Sequence, residues 1–296
     1  MNTPLAASNV QFLDGQRGLP PFRCGHRTQF RRRIPVSDTS KPARATPLRP
    51  RRRAILIGAS QGIGAALAKE LAQAGYTLAL LDRNAELLNK VCVGLRADGY
   101  EAVPYEHDVT SYESVPVTLR RIVADLGGLD LFVYVAGVIH FPALDEYNFE
   151  QDRKMVEVNL LGAMAWMSQV APMFQNAKSG QIVGISSVAG DRGRIGNPGY
   201  NTSKAGLTTY LEALRNRLSR HGVNVITVKP GMVKTEMLTL PGAPRPMFAV
   251  TPEQAAGEIA RAIRKRRQVV YVSGLWRWIM LVIRHIPSVI FRRMSF

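Results

Sequence analysis

The chain has 296 residues, 46% hydrophobic and 21% charged, which suits one large α/β domain or two small ones. Its net charge of +17 sits at the ends: residues 1–53 hold 12 Lys/Arg against 2 Asp/Glu, residues 261–296 hold 9 against none, and the stretch between carries −2. A nucleic-acid partner, which needs a basic patch on a folded face, is therefore not expected, and Cys24 and Cys92 make neither a disulfide framework nor a metal cluster, in keeping with a reducing, cytoplasmic setting.

Residues 1–53 mix Pro, Arg, Ser and Thr without apolar periodicity and predict a disordered basic tail. The tail is rich in Arg and poor in acid, as transit peptides are, but seven prolines interrupt it and no clean amphipathic helix emerges. From Ala54 the pattern changes. Apolar runs at 54–58, 77–82, 101–106, 130–136, 181–186, 223–229 and 268–272 read as strands. Runs at 63–74, 84–97, 112–126, 150–175, 199–220 and 252–266 read as helices, the last opened by a capping box in Thr251-Pro252-Glu253-Gln254. Buried strands alternating with helices predict one α/β domain over 54–272, a doubly wound parallel sheet of Rossmann type. Residues 273–296 form a basic amphipathic segment. Its run LWRWIMLVIRHI at 275–286 is too short and too charged to span a bilayer. Three uses are open to it: lying on an anionic membrane surface, such as the inner face of a cell membrane, closing the chain's own pocket, or meeting another subunit.

Between the first strand and helix stands Gly58-Ala59-Ser60-Gln61-Gly62-Ile63-Gly64. Glycines there let the backbone turn tightly and approach a pyrophosphate, and the helix N-terminus offers N–H groups and a positive dipole end. Asp82, 18 residues after Gly64, ends the second strand, where a carboxylate bonds a ribose 2′-hydroxyl and repels a 2′-phosphate. That favours NAD, while the neighbouring Arg83 keeps NADP as the alternative. Asp108, followed by Val109, reaches an adenine edge or caps the helix beginning near Ser111.

Tyr200 and Lys204 lie four apart, on one helix face, and Ser187 precedes Tyr200 by thirteen positions. A phenol ionises near pH 10, too high for proton transfer at neutrality, and a nearby ammonium lowers that value. Ser187 closes the fifth strand, at the sheet edge where ligands bind, and its hydroxyl is suited to hold a substrate oxygen.

These motifs, in this order and spacing, resemble the short-chain dehydrogenase/reductase family in its compact single-domain branch, over about residues 54–272. The matching pieces are 58–64, Asp108, Ala136-Gly137, Asn159, Ser187, Tyr200, Lys204 and Pro230-Gly231. The resemblance implies Tyr200 as acid/base, Lys204 binding the nicotinamide ribose and tuning the phenol, Ser187 orienting the carbonyl, and Asn159 holding a water in a proton relay. It places Ala136, Gly137, Pro230, Gly231, Val233 and Thr235 against the cofactor and implies a homo-oligomer. One departure is that the family's Asn-Asn-Ala-Gly reads Tyr134-Val135-Ala136-Gly137 here. Val135 lacks the amide that ties the central strands together.

The expected activity is hydride transfer between an alcohol and a ketone or aldehyde, with no metal. Met232, Met237, Leu238, Leu240, Met247 and Phe248, in 231–250, either line a site for a small apolar substrate or pack the loop down. Arg192 and Arg194 greet a substrate anion or lie in a solvated turn. Two rival readings are a catalytically silent NAD(P)-binding regulator and a nucleic-acid binder acting through the tails.

Overall fold

The computed structural model describes residues 52–294; the tail expected over 1–53 lies outside them except for its last two residues. Seven strands among the described residues form one parallel sheet: β1 (Arg52–Ile57), β2 (Tyr76–Asp82), β3 (Ala102–Glu106), β4 (Leu131–Tyr134), β5 (Gln181–Ile185), β6 (Asn224–Pro230) and β7 (Val269–Val272), in the order β3-β2-β1-β4-β5-β6-β7. Successive side chains of a strand point to opposite faces. In β1, accordingly, Ile55 and Ile57 face one core with α3 (Val115–Leu126), α5 (Gly162–Ala177) and α6 (Pro198–Leu218). Ala54 and Leu56 face the other with α1 (Gly62–Gln73), α2 (Ala85–Ala97) and α7 (Pro252–Arg264). Burial on both sides explains why the strands read as continuous apolar runs. The strand order reverses between β1 and β4, so the carboxyl ends of these two strands open a crevice.

The boundary drawn at residue 54 moves back. Arg52 and Arg53 already belong to β1, and Arg53 is held there by Asp130, with Nε–Oδ2 at 2.8 Å and Nη2–Oδ1 at 3.1 Å. A charge run at the start of a strand keeps water access and a carboxylate, which apolar patterning alone does not reveal. The helix expected over 150–175 is also interrupted: α4 (Phe149–Val156) passes through one π turn, Glu157–Leu161, before α5. Buried Tyr134 donates its phenol to the carbonyl of Val158 in that turn, at 2.6 Å. Where Val135 replaces the family's asparagine, the backbone N–H groups of Val135 and Ala136 both reach the carbonyl of Ile57, at 2.8 and 3.0 Å. The central strands thus stay joined there through main chain.

The C-terminal segment makes α8 (Leu275–His285) and a last short turn, Ser288–Phe291. Trp276, Met280 and Ile283, at i, i+4 and i+7, are buried with Val188 in a third small core.

Candidate active site

The cleft at the strand reversal has a volume of about 750 Å³. At one end, Gly58 turns with φ +85°, and a Cβ there would meet the Ala136 nitrogen at 2.5 Å. A Cβ on Gly64 would lie 1.8 Å from the Gly58 carbonyl oxygen. Both positions require glycine because backbone, not a movable side chain, occupies the space. Gln61 gives α1 no side-chain cap and no acid sits in its first turn, so its N–H groups and dipole are left for a ligand. This backbone cradle fits a dinucleotide pyrophosphate. Ser60, Gln61, Gly62 and Ile63 line it, and beyond β2 the lining continues with Asp82, Arg83, Asp108 and Val109.

Asp82 accepts from the backbone N–H of Ser60 at 3.3 Å and of Asn84 at 3.0 Å. It tethers the glycine-rich turn to the start of α2. The cap of α2 is Asn84, which accepts from Leu87 N at 3.0 Å. Asp108 accepts from both the N–H and the hydroxyl of Thr110, at 2.8 and 2.7 Å, which holds its carboxyl below the usual range. It closes its own turn rather than capping the helix after Ser111.

At the other end, Asn197 caps α6 by accepting from Tyr200 N at 3.0 Å, and Pro198 takes the first helical position. Tyr200 is thereby fixed in the first turn of a 21-residue helix. Ser187 accepts from Ala189 N at 3.1 Å, which leaves its hydroxyl proton to donate. Burial pushes the Tyr200 phenol up to about 12, and the Ser187 hydroxyl opposes that shift. Burial pushes Lys204 down to about 8; its Nζ donates to the Ile185 carbonyl at 3.0 Å and lies 5.7 Å from the Tyr200 ring centre. Ser187, Tyr200 and Lys204 all line the cleft, as do Ala136, Gly137, Pro230, Gly231, Val233 and Thr235.

Asn159 is the exception. It is fully buried and does not line the cleft. Its Oδ1 accepts from Val138 N at 2.7 Å, and its Nδ2 donates to Val138 O at 2.9 Å and Ser203 Oγ at 3.0 Å. These three bonds fix the Asn159 side chain. They pin the segment after β4 to the π turn and to α6.

The family model for "short chain dehydrogenase" matches residues 52–243. The chain belongs to the short-chain dehydrogenase family. It is similar to an uncharacterized oxidoreductase of Myxococcus xanthus, with 36% identity over 200 residues, 68% of this chain and 79% of the relative. The ketoacyl reductase HetN of a Nostoc species is 29% identical over 222 residues, covering 74% of this chain and 77% of that protein. Among solved structures, a variant of actinorhodin polyketide ketoreductase with NADPH shares 26% identity at a TM-score of 0.71, over 76% of this chain and 97% of that one. The chain is thus an oxidoreductase of this family.

Beyond Tyr200 the cleft of this short-chain dehydrogenase is walled by side chains from distant segments. Trp276 on α8 lines the cleft, and its indole stands where a Cβ on Gly231 would be, 2.0 Å from Nε1. Ile139, Phe141 and Leu144, after β4, add apolar lining that the sequence did not single out. From 231–250, Met232, Met237 and Leu238 line the cleft, whereas Met247 and Phe248 are exposed. Neither arginine after Ser187 lies in a solvated turn. Arg192 donates Nη1 to the carbonyls of Ile283 and Ile286, the latter at 2.6 Å, and stacks over Phe291 at 3.9 Å. It holds down the end of α8. Arg194 enters the cleft.

Proposed function

We propose that this dehydrogenase interconverts an alcohol and its ketone or aldehyde with NAD(P), Tyr200 carrying the proton. The observation behind this reading is that Ser187, Tyr200 and Lys204 line the same cleft as the glycine-rich turn. The bound dinucleotide supplies a hydride donor or acceptor at its nicotinamide. Ser187 donates to the substrate oxygen and orients it. Tyr200 Oη gives its proton to that oxygen in reduction and takes it back in oxidation. Lys204 places positive charge beneath the phenol and lowers the cost of the phenolate. Residues 58–64 hold the pyrophosphate. Asp82 favours the free 2′-hydroxyl of NAD, and Arg83 offers the cation that makes NADP the alternative.

A panel of apolar alcohols and ketones with both dinucleotides, followed by nicotinamide absorbance, tests the assignment. Dinucleotide binding with no turnover anywhere on the panel would favour the regulatory reading instead.

The outer face of α8 and the residues that follow it support a second proposal, attachment to an anionic lipid surface. Trp278, Leu281, Val282, Val289 and Ile290 are exposed there beside Arg277, Arg284, Arg292 and Arg293, with no acidic residue after Glu258. No helix among the described residues is long and apolar enough to cross a membrane.

A further inference from the structure

Among the described residues, two buried side-chain nitrogens have no hydrogen-bond partner: Nε of Arg194 and Nε1 of Trp276. Both residues line the cleft that holds Ser187 and Tyr200. They arrive from different parts of the chain, Arg194 from the segment ahead of α6 and Trp276 from the first turn of α8. A buried donor without an acceptor is destabilising, and a charged one more so. Of the two, Nε1 of Trp276 lies against Gly231, and the Arg194 guanidinium is the charged group that a ligand in the cleft would complete.

The surroundings of Arg194 say what kind of ligand. Its Nη2 meets the Val188 carbonyl at 3.4 Å and the Met280 sulfur at 3.2 Å, neither of which carries charge. The nearby carboxylate, Asp191, is already taken by Lys229 and by the Tyr271 hydroxyl at 2.8 Å. Burial lowers the pKa of the guanidinium, and the opposing pull of Asp191 is the smaller of the two effects. The residue is not free to swing out with its loop, because Asn201 Nδ2 holds the Arg194 carbonyl at 3.1 Å, one position beyond Tyr200 on α6. The remaining wall is apolar, with Ile139, Phe141, Leu144, Met237 and Leu238.

We infer that Arg194, on the wall that Trp276 shares, recognises an anionic oxygen of the substrate, so that the alcohol or ketone served by Tyr200 carries a carboxylate or phosphate together with an apolar chain. The inference rests on the alcohol–ketone reading above and narrows its substrate class. A guanidinium suits either anion, since its N–H groups match paired oxygens.

The test uses the full chain and its preferred reduced dinucleotide, one equivalent of which, with one proton, is consumed per ketone reduced. The probes are 3-oxooctanoate, its neutral methyl ester and 3-oxooctyl phosphate. The wild-type KM for at least one anionic ketone is expected to be tenfold or more below that of the ester, and the better of the two names the group. In Arg194→Gln the gap closes through KM more than kcat, and Arg194→Lys restores part of it. Calorimetry with octanoate and octyl phosphate reads the same site without turnover: their binding falls at least tenfold in Arg194→Gln while dinucleotide affinity stays put. Should Arg194→Gln not fold, the narrowed gap in Arg194→Lys carries the comparison alone.

An ester reduced as well as both anions, or octanoate and octyl phosphate binding indifferent to Arg194, overturns the inference. A fall in dinucleotide affinity in Arg194→Gln also overturns it, because the arginine then serves the cofactor. Anion binding that depends on Arg194 without turnover of any ketone would leave this site standing and remove the alcohol–ketone reading.

Discussion

The two ends of the cleft are made of different materials. The dinucleotide end is backbone: a turn whose glycines leave no room for a Cβ, and a helix start whose N–H groups no side chain caps. The substrate end is side chain, assembled from the segment after β4, the residues following Ser187, and a helix from the far end of the chain. A backbone site is specified by a few adjacent residues. A side-chain wall is specified by contacts between segments as far apart as Arg192 and Ile283.

Changes at the chemical centre should separate the two ends most sharply. Tyr200→Phe is expected to lower kcat by about 10³-fold, the scale of a lost proton-transfer group, while dinucleotide affinity persists. Parallel loss of binding, measured by fluorescence titration, would mean the ends are not separable. Gly64→Ala should do the opposite damage: the added carbon meets a carbonyl oxygen that cannot yield, so dinucleotide affinity falls and stability drops by about 1–3 kcal/mol. Equilibrium unfolding in urea and a binding titration together check this.

Lys204→Met should abolish turnover yet raise stability at neutral pH. The folded value of Lys204, about 8, lies below its ordinary 10.5, so the folded protein binds fewer protons than the unfolded one between those limits. The cost of the buried ammonium is therefore full below about pH 8 and gone above 10.5, and stability from this group rises with pH in between. Relieving it is expected to gain about 3 kcal/mol at pH 7 and nothing at pH 11. Denaturant midpoints of the two proteins across that range decide, and a gain that grows with pH would refute the sign.

The smallest effect contrasts the faces of α8. Trp278→Ala, on the exposed side, should leave melting temperature and turnover unchanged and weaken sedimentation with anionic vesicles. Trp276→Ala should alter KM and lower the melting point. Unchanged vesicle binding on removal of residues 274–296 would end the membrane proposal.

The contrast also explains what could be read in advance. The sheet, its helices, the glycine-rich turn and the spacing of Ser187, Tyr200 and Lys204 follow from continuous apolar runs, 3.6-residue patterns and local motifs, and the structure places these residues on one cleft. The cap that fixes Tyr200 was present as Asn197-Pro198, a legible helix start that the eye passes over beside a stronger motif. The π turn was not legible, since its pattern differs from a helix by a single residue of register. Nor was the commitment of Asn159 to Val138 and Ser203, which depends on how three distant segments meet. Arg192 and Arg194 look alike in sequence, but only the fold separates the one that grips α8 from the one that enters the cleft.

The grip of Arg192 has a consequence for engineering. The arginine that fastens the last carbonyls of α8 and stacks on Phe291 sits five positions after Ser187. The wall that α8 lends to the cleft is therefore latched to the loop that follows Ser187, and a tail transplanted from another dehydrogenase would arrive without its catch. Chimeras that exchange residues 274–296 should succeed only when 188–196 travel with them.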